Sequence, residues 1–210
     1  IHGHSFRTEG TTPLTWTYMD GRYVSYIQKK FGTKKIKSFP VMTMFKYIYY
    51  TFFKHIRQIR LLYYLPYNES EILEKLTKEL GWKNYGGKHH ESKYTGFFQS
   101  YILTRKFSID KRKLHYSALL RSGQMTRDEA LEKVKVDPYE GGIETLNYCI
   151  KKLGYTLDEF EMIMNQKPKL FIEYKSYYSL VRRLKRPIAW GTKMGIIPDT
   201  VYRKFFRFNF

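Results

Sequence analysis

The densest polar cluster in the chain is Tyr85-Gly86-Gly87-Lys88-His89-His90-Glu91-Ser92. Paired glycines let the backbone approach a ligand closely, and Lys88 offers a positive charge. Ser92 has the chemistry to cap a following helix, whose unpaired N–H groups would then sit beside the loop. That combination suits an anion. A second cluster, His2-Gly3-His4-Ser5-Phe6-Arg7-Thr8-Glu9-Gly10, sets an arginine able to clamp phosphate or carboxylate near a glutamate able to hold magnesium or a hydroxyl group. A third places Lys106 and Ile109-Asp110-Lys111-Arg112 ahead of Ser122-Gly123-Gln124-Met125-Thr126-Arg127, gathering cations near a helix-to-helix turn. Taken singly, each has a plainer reading: a turn with a solvated lysine, a polar loop near a terminus, and a helix stop followed by a capped start.

Two other residue types bear on chemistry. His2, His4, His89, His90 and His115 raise the question of a metal, but adjacent histidines seldom ligate one ion and no cysteine supports them, so no metal site is assigned. Cys149 is the lone cysteine, which excludes an internal disulfide and a multi-cysteine zinc site. It falls between Leu146 and Ile150 on an expected helix, where a cysteine serves as a small apolar residue rather than a nucleophile.

The elements that must position these groups read mostly as short helices. Asn68-Glu69-Ser70-Glu71 has capping-box spacing and is followed by Ile72, Leu73, Leu76 and Leu80 up to Gly81. The same pattern opens helices at Thr126 with Glu129 and at Thr156 with Glu159, and Ile143 to Leu153 carries one apolar face that stops at Gly154. Asp20 caps a helix over Val24, Ile27 and Phe31, and Thr43 starts another through Ile56. Tyr94 to Phe107 and Lys111 to Arg121 also read as helices. Short extended pieces are expected at Leu61 to Leu65 and Leu170 to Ile172, with no sustained strand alternation anywhere.

The segment from Phe39 to Ile59 is aromatic and apolar but is broken by Lys46, Lys54, His55 and Arg57. It falls short of the ~20 mainly apolar residues a spanning helix needs. It reads as a helix partly buried in the core with its lysines in water, with a peripheral contact to an anionic membrane as the second reading.

A chain of 210 residues with 42% hydrophobic residues is long and apolar enough for a sizeable core. Nothing near Ile1 resembles a basic stub followed by an apolar signal core, so a cytoplasmic location is expected. With 38 basic and 19 acidic residues the net charge is +19, which calls for anionic company. The charge is uneven: Ile1 to Tyr67 holds 11 basic and 2 acidic residues, Asn68 to Gln166 holds 16 and 15, and Lys167 to Phe210 holds 11 and 2. Two basic flanks around a neutral helical centre fit a nucleotide-sugar pocket or a membrane surface. A nucleic-acid module would need its stripe assembled from both ends, with Tyr and Phe stacking on bases.

The order and wording of the polar clusters carry a more specific signal. Glu79-Leu80-Gly81-Trp82, then Tyr85-Gly86-Gly87-Lys88-His89 with Glu91-Ser92, Phe98-Gln99, Tyr101-Ile102-Leu103, Lys106-Phe107, Ile109-Asp110-Lys111-Arg112 and Ser122 to Arg127 closely resemble the N-acetyl sugar amidotransferase family. Arg7-Thr8-Glu9-Gly10 and the Trp16 to Tyr23 segment are similar to it as well. The resemblance implies the C-terminal helical part of an α/β PP-loop ATP-pyrophosphatase fold (adenine nucleotide alpha hydrolase-like), mostly α in these residues. It divides the chain into 1–166, the C-terminal part of the amidotransferase domain, and 167–210, a basic aromatic extension.

The resemblance also implies ATP and Mg2+ as cofactors and a glutaminase of the class I glutamine amidotransferase type as the partner delivering ammonia. The substrate it implies is a nucleotide-linked or related N-acetyl sugar whose acetamido group becomes acetamidino, in lipopolysaccharide, pseudaminic acid or flagellin-glycan biosynthesis. By motif match Arg7, Thr8 and Glu9 would lie near the nucleotide, and Gly86, Gly87, Lys88, His89, Glu91, Lys111 and Arg112 would serve the ATP or sugar-phosphate site. The chain also departs from the family. The superfamily's S-G-G-x-D-S loop is absent, Gly96 stands in place of an arginine, Thr104 stands in place of a proline, and nothing from Lys167 onward matches. These residues alone are therefore expected to bind ATP poorly and to act only as part of a longer chain. A basic helical nucleic-acid-binding module and an inactive family remnant are the alternatives.

Overall fold

The structure is a computed structural model that describes residues 1–10, 12–16, 18–57, 59–83, 91–197 and 199–206. Among these residues there is no β-strand, only an isolated parallel bridge between His2 and Arg60. The chain divides into two compact units. One comprises Ile1–Thr11 with Ile59–Pro168, and the other Thr12–Gln58 with Lys169–Phe210.

In the first unit the expected punctuation is built as the side-chain chemistry dictates. Asn68 Oδ1 accepts the Ser70 and Glu71 N–H groups at the start of Glu69–Leu80, and Gly81 ends that helix at φ 61°. Thr126 and Glu129 form a reciprocal capping box on Arg127–Lys135, as do Thr156 and Glu159 on Leu157–Asn165. Gly154, at φ 80°, closes Gly142–Leu153 in the left-handed conformation that a glycine adopts without a Cβ penalty.

The 93–107 run is continuous, but it contains a π-helical turn, Phe98–Ile102, between Lys93–Phe97 and Leu103–Phe107. The Ser100 and Thr104 hydroxyls donate back to the carbonyls of Gly96 (2.6 Å) and Ser100 (2.5 Å) along this stretch, giving the widened turn local polar support.

The core of this unit lies where that run meets the Gly142–Leu153 and Leu157–Asn165 helices. Phe97, Leu146, Cys149, Ile150 and Phe160 are buried together, with Tyr101, Ile102, Tyr139 and Met164 packed around them. The 146, 149, 150 spacing puts all three residues on one helical face. Leu153, the next residue at that spacing, is exposed.

The second unit joins two segments far apart in sequence, and Asp20 is the residue that ties them. Its Oδ1 accepts the Tyr23 N–H at 2.7 Å, capping Gly21–Phe31, while its Oδ2 accepts the Tyr177 N–H at 2.8 Å and the Tyr18 hydroxyl. Burial first, and then the Asp20 carboxylate, push the Tyr18 phenol far above its ordinary value, so it stays a donor. Around it Phe171 stacks on Tyr18 at 4.4 Å, and Tyr178 meets Phe171 edge-on at 5.0 Å. Gly21 is required here, because a Cβ at that position would lie 2.2 Å from the Met42 carbonyl oxygen.

Three expectations need correction. Leu61 to Leu65 and Leu170 to Ile172 are not extended: each holds a single 3-10 turn, Leu61–Tyr63 and Phe171–Glu173, because both segments connect helices and have no strand partner. The Phe39 to Ile59 segment is not a half-buried core helix. Its helical part, Met44–Ile48 continuing into the π-turn Tyr49–Phe53, leaves Phe45 75% and Phe53 72% exposed. Shorter helices that carry no strong sequence signal appear at Phe6–Glu9, Tyr178–Arg183, Lys185–Lys193 and Asp199–Phe206.

Burial separates the two kinds of phenylalanine. Phe97, 1% exposed, should cost about 3–5 kcal/mol when changed to Ala, because it leaves a cavity among the four other buried side chains of the core. Phe45→Ala should change stability by no more than about 0.5 kcal/mol. Urea unfolding followed by far-ultraviolet circular dichroism compares them.

Candidate functional site

The second polar cluster folds onto the third. Ser5 and Thr8 are both buried, at 1% and 3% exposure, and the short Phe6–Glu9 turn that contains Thr8 packs along the Lys111–Arg121 helix. Two hydrogen bonds fix this contact. His115 Nδ1 donates to the Thr8 carbonyl at 2.5 Å; since a carbonyl can only accept, that nitrogen carries a proton. The Ser122 hydroxyl lies 3.0 Å from the Arg7 carbonyl. Gln124 then bridges outward, donating from Nε2 to Ser122 Oγ at 2.8 Å and accepting the Glu69 N–H on Oε1 at 2.8 Å.

The result is a small, mixed-charge polar patch in a basic chain. Glu9 is paired with His4, and His115 Nε2 lies 3.6 Å from Glu69 Oε2. Burial raises the Tyr67 phenol, and the Glu69 and Glu9 carboxylates raise it further. Sequence spacing singled out Glu9 but not Tyr67, named Glu69 only in a helix start and Gln124 only in a helix-to-helix turn, and raised His115 only as a metal ligand. His115 and Thr8 lie 107 positions apart, so no local pattern signals their contact.

Arg7 and Arg112, expected to meet phosphate, and Lys106 of the third cluster are engaged with the chain itself. Arg7 Nη1 donates to the carbonyls of Leu62 and Leu65, both at 3.0 Å, and so holds the Leu61–Tyr63 turn. Arg112 is forked onto Asp110, with Nη2 to Oδ2 at 2.9 Å, and reaches the Val136 carbonyl at 2.9 Å and the Val134 carbonyl at 3.5 Å, at the end of Arg127–Lys135. Its hydrogen bonds to Asp110 outweigh burial and raise the guanidinium above its ordinary value. Lys106 donates to the carbonyls of Ile163, Met164 (3.3 Å) and Gln166 (2.8 Å), closing the end of Leu157–Asn165. Cations at helix C-termini satisfy orphan carbonyls and complement the macrodipole.

Of the remaining expected site residues, Lys111 opens its helix with its side chain partly buried, and Glu91 is exposed just before the Ser92 cap. Gly86, Gly87, Lys88 and His89 lie outside the described residues. No group of three metal-ligating side chains converges among the described residues.

Among the described residues, Arg7, Arg112 and Glu9 do not by themselves fit ATP with magnesium. A triphosphate needs several cations or N–H donors aimed at one place. Here Arg7 and Arg112 point at main-chain carbonyls, and Glu9 is paired with His4.

Cys149 is 2% exposed, and burial pushes its thiol up, away from thiolate chemistry. Ammonia release by a cysteine nucleophile is therefore not a task for this residue. In the native chain at neutral pH Cys149 should label with an aromatic disulfide reagent at least about a hundredfold more slowly than in denaturant. Equal rates would contradict its burial.

Against known proteins, residues 91–185 match the family model described as LPS biosynthesis protein WbpG-like, C-terminal domain. No curated protein and no solved structure matches the chain. The matched span begins at Glu91 and includes Lys111, Arg112, the Ser122 to Gln124 turn and the helices of the core, with the Phe6–Glu9 turn outside it. Residues 91–185 are therefore similar to the C-terminal domain of WbpG-like LPS biosynthesis proteins.

Proposed function

We propose that this chain is the helical C-terminal portion of an ATP-dependent N-acetyl sugar amidotransferase. In this reading the enzyme converts the acetamido group of a nucleotide-linked or related sugar to acetamidino, using ammonia supplied by a glutaminase partner. The observation that carries the reading is the family match over 91–185, whose described residues form helices joined by loops and no strand. Two further observations support it. The lone cysteine is buried, which suits ammonia made on a separate chain, and two cationic side chains of the match, Lys106 and Arg112, serve as fixings for helix ends.

Roles within the proposal follow from what each side chain already touches. Arg7, Thr8 and Arg112 are positioning residues: they hold the Leu61–Tyr63 turn, the Lys111–Arg121 helix and the end of Arg127–Lys135. Glu9, beside His4, Glu69 and Tyr67, is the carboxylate on that surface best placed to accept a sugar hydroxyl. Gly86, Gly87, Lys88, His89, Glu91 and Lys111 are the group left to face the sugar phosphate or the nucleotide, with ATP and Mg2+ held mainly by residues outside this chain. Charge stabilisation by a lysine aimed at a phosphate is the usual contribution of such a loop.

Two substitutions separate these roles in the active enzyme with its glutaminase. Lys88→Ala should lower ATP-dependent turnover by about a hundredfold or more while leaving stability unchanged. Arg112→Ala should instead lose about 1–3 kcal/mol of stability, because it strips partners from several carbonyls and from Asp110. Full turnover in Lys88→Ala would remove that loop from the site.

A further inference from the structure

The charge of the molecule is sorted by compact unit far more sharply than by sequence third. The unit made of Thr12–Gln58 and Lys169–Phe210 holds 19 of the 38 basic residues and only 3 of the 19 acidic ones, a net +16 out of +19. Of its three carboxylates, Asp20 is tied to Tyr18, Tyr23 and Tyr177, and Glu173 accepts the Leu170 N–H at 2.6 Å. Little negative charge remains to offset the lysines and arginines.

The same unit exposes apolar side chains beside those cations. In the stretch from Phe39 to Arg57, which contains no acidic residue, Phe39, Met42, Phe45, Phe52, Phe53 and Ile56 are more than half exposed. Lys46, Lys54 and Arg57 are exposed among them, with Lys34, Lys35 and Lys37 just upstream. Such a run is costly in water and repels any cationic partner.

We infer that the Phe39 to Arg57 stretch, on the +16 unit, docks peripherally on an anionic lipid surface, with its phenylalanines entering the headgroup–acyl boundary and its lysines and arginines pairing with lipid phosphates. A polyanion alone would use the charge but leave Phe, Ile and Met side chains without a partner. A lipid interface takes both, since apolar burial and attraction to anionic headgroups add. Contacts to nucleic acid use aromatic faces in a groove, and nothing about Ile56, Met42 or the tip of Phe45 serves stacking. No described helix is long and apolar enough to cross a membrane, so the contact is lateral.

The test is co-sedimentation of the whole chain with vesicles of phosphatidylcholine alone or mixed with phosphatidylglycerol, at low and high salt. Binding should require phosphatidylglycerol and weaken with salt. The double variant Phe45→Ser with Phe53→Ser should bind about tenfold or more weakly, with unchanged circular dichroism. A Phe53→Trp variant should be quenched by lipids brominated on the acyl chain. The inference is overturned by equal binding of the double variant, by an unquenched Phe53→Trp, by tighter binding to a single-stranded oligonucleotide than to the vesicles, or by lipid-free self-association that the double variant abolishes.

Discussion

Each helix end leaves four main-chain groups without a partner inside the helix, and this chain has many ends and no described sheet in which to hide them. Its helices are short: Phe6–Glu9 has 4 residues, and Glu69–Leu80 and Gly142–Leu153 have 12 each. Elements of that length are marginal alone and depend on side chains to finish both termini and on tertiary packing to hold them. The N-terminal ends use Asp20, Asn68, Ser92, Asp110, Thr126 and Thr156. Two of the C-terminal ends use long cations that arrive from elsewhere in the fold, Arg112 and Lys106.

That division explains which parts of the molecule were legible in the sequence. An N-cap and its partner sit three residues apart, so Thr126 with Glu129 and Thr156 with Glu159 announce their helices directly, and glycines such as Gly81 and Gly154 announce the stops. The C-terminal fixings are long-range. Lys106 reaches carbonyls some 60 positions away, and Arg7 does the same across 55 and 58 positions, so both read in sequence only as cations in search of an anion. The polar patch around Thr8 and His115 was hidden for the same reason, because its partners come from three separated stretches. The aromatic run from Phe39 to Ile56 has a helix-compatible pattern, but periodicity says nothing about whether another element covers it, and here much of it is left open.

The family wording and the fold meet most firmly in the first unit. Phe97, Leu146, Cys149, Ile150 and Phe160 form its centre, and the match over 91–185 contains all five. Around that centre carboxylates and imidazoles are paired on one surface, while Arg7 and Arg112 are bonded to main-chain carbonyls. The second unit concentrates the positive charge instead, and Asp20 is the carboxylate that joins its two distant segments.

The central claim is that this fold serves nitrogen transfer to an acetamido sugar. It is tested most directly by following heavy nitrogen from the side-chain amide of glutamine, with the enzyme that contains this chain, its glutaminase, ATP and a nucleotide-linked N-acetyl sugar. The expected result is heavy nitrogen in an acetamidino product, formed only when ATP is present and consumed. Glutamine hydrolysed and ATP consumed, with the acetamido group and its oxygen intact across a panel of N-acetyl sugars, would contradict it.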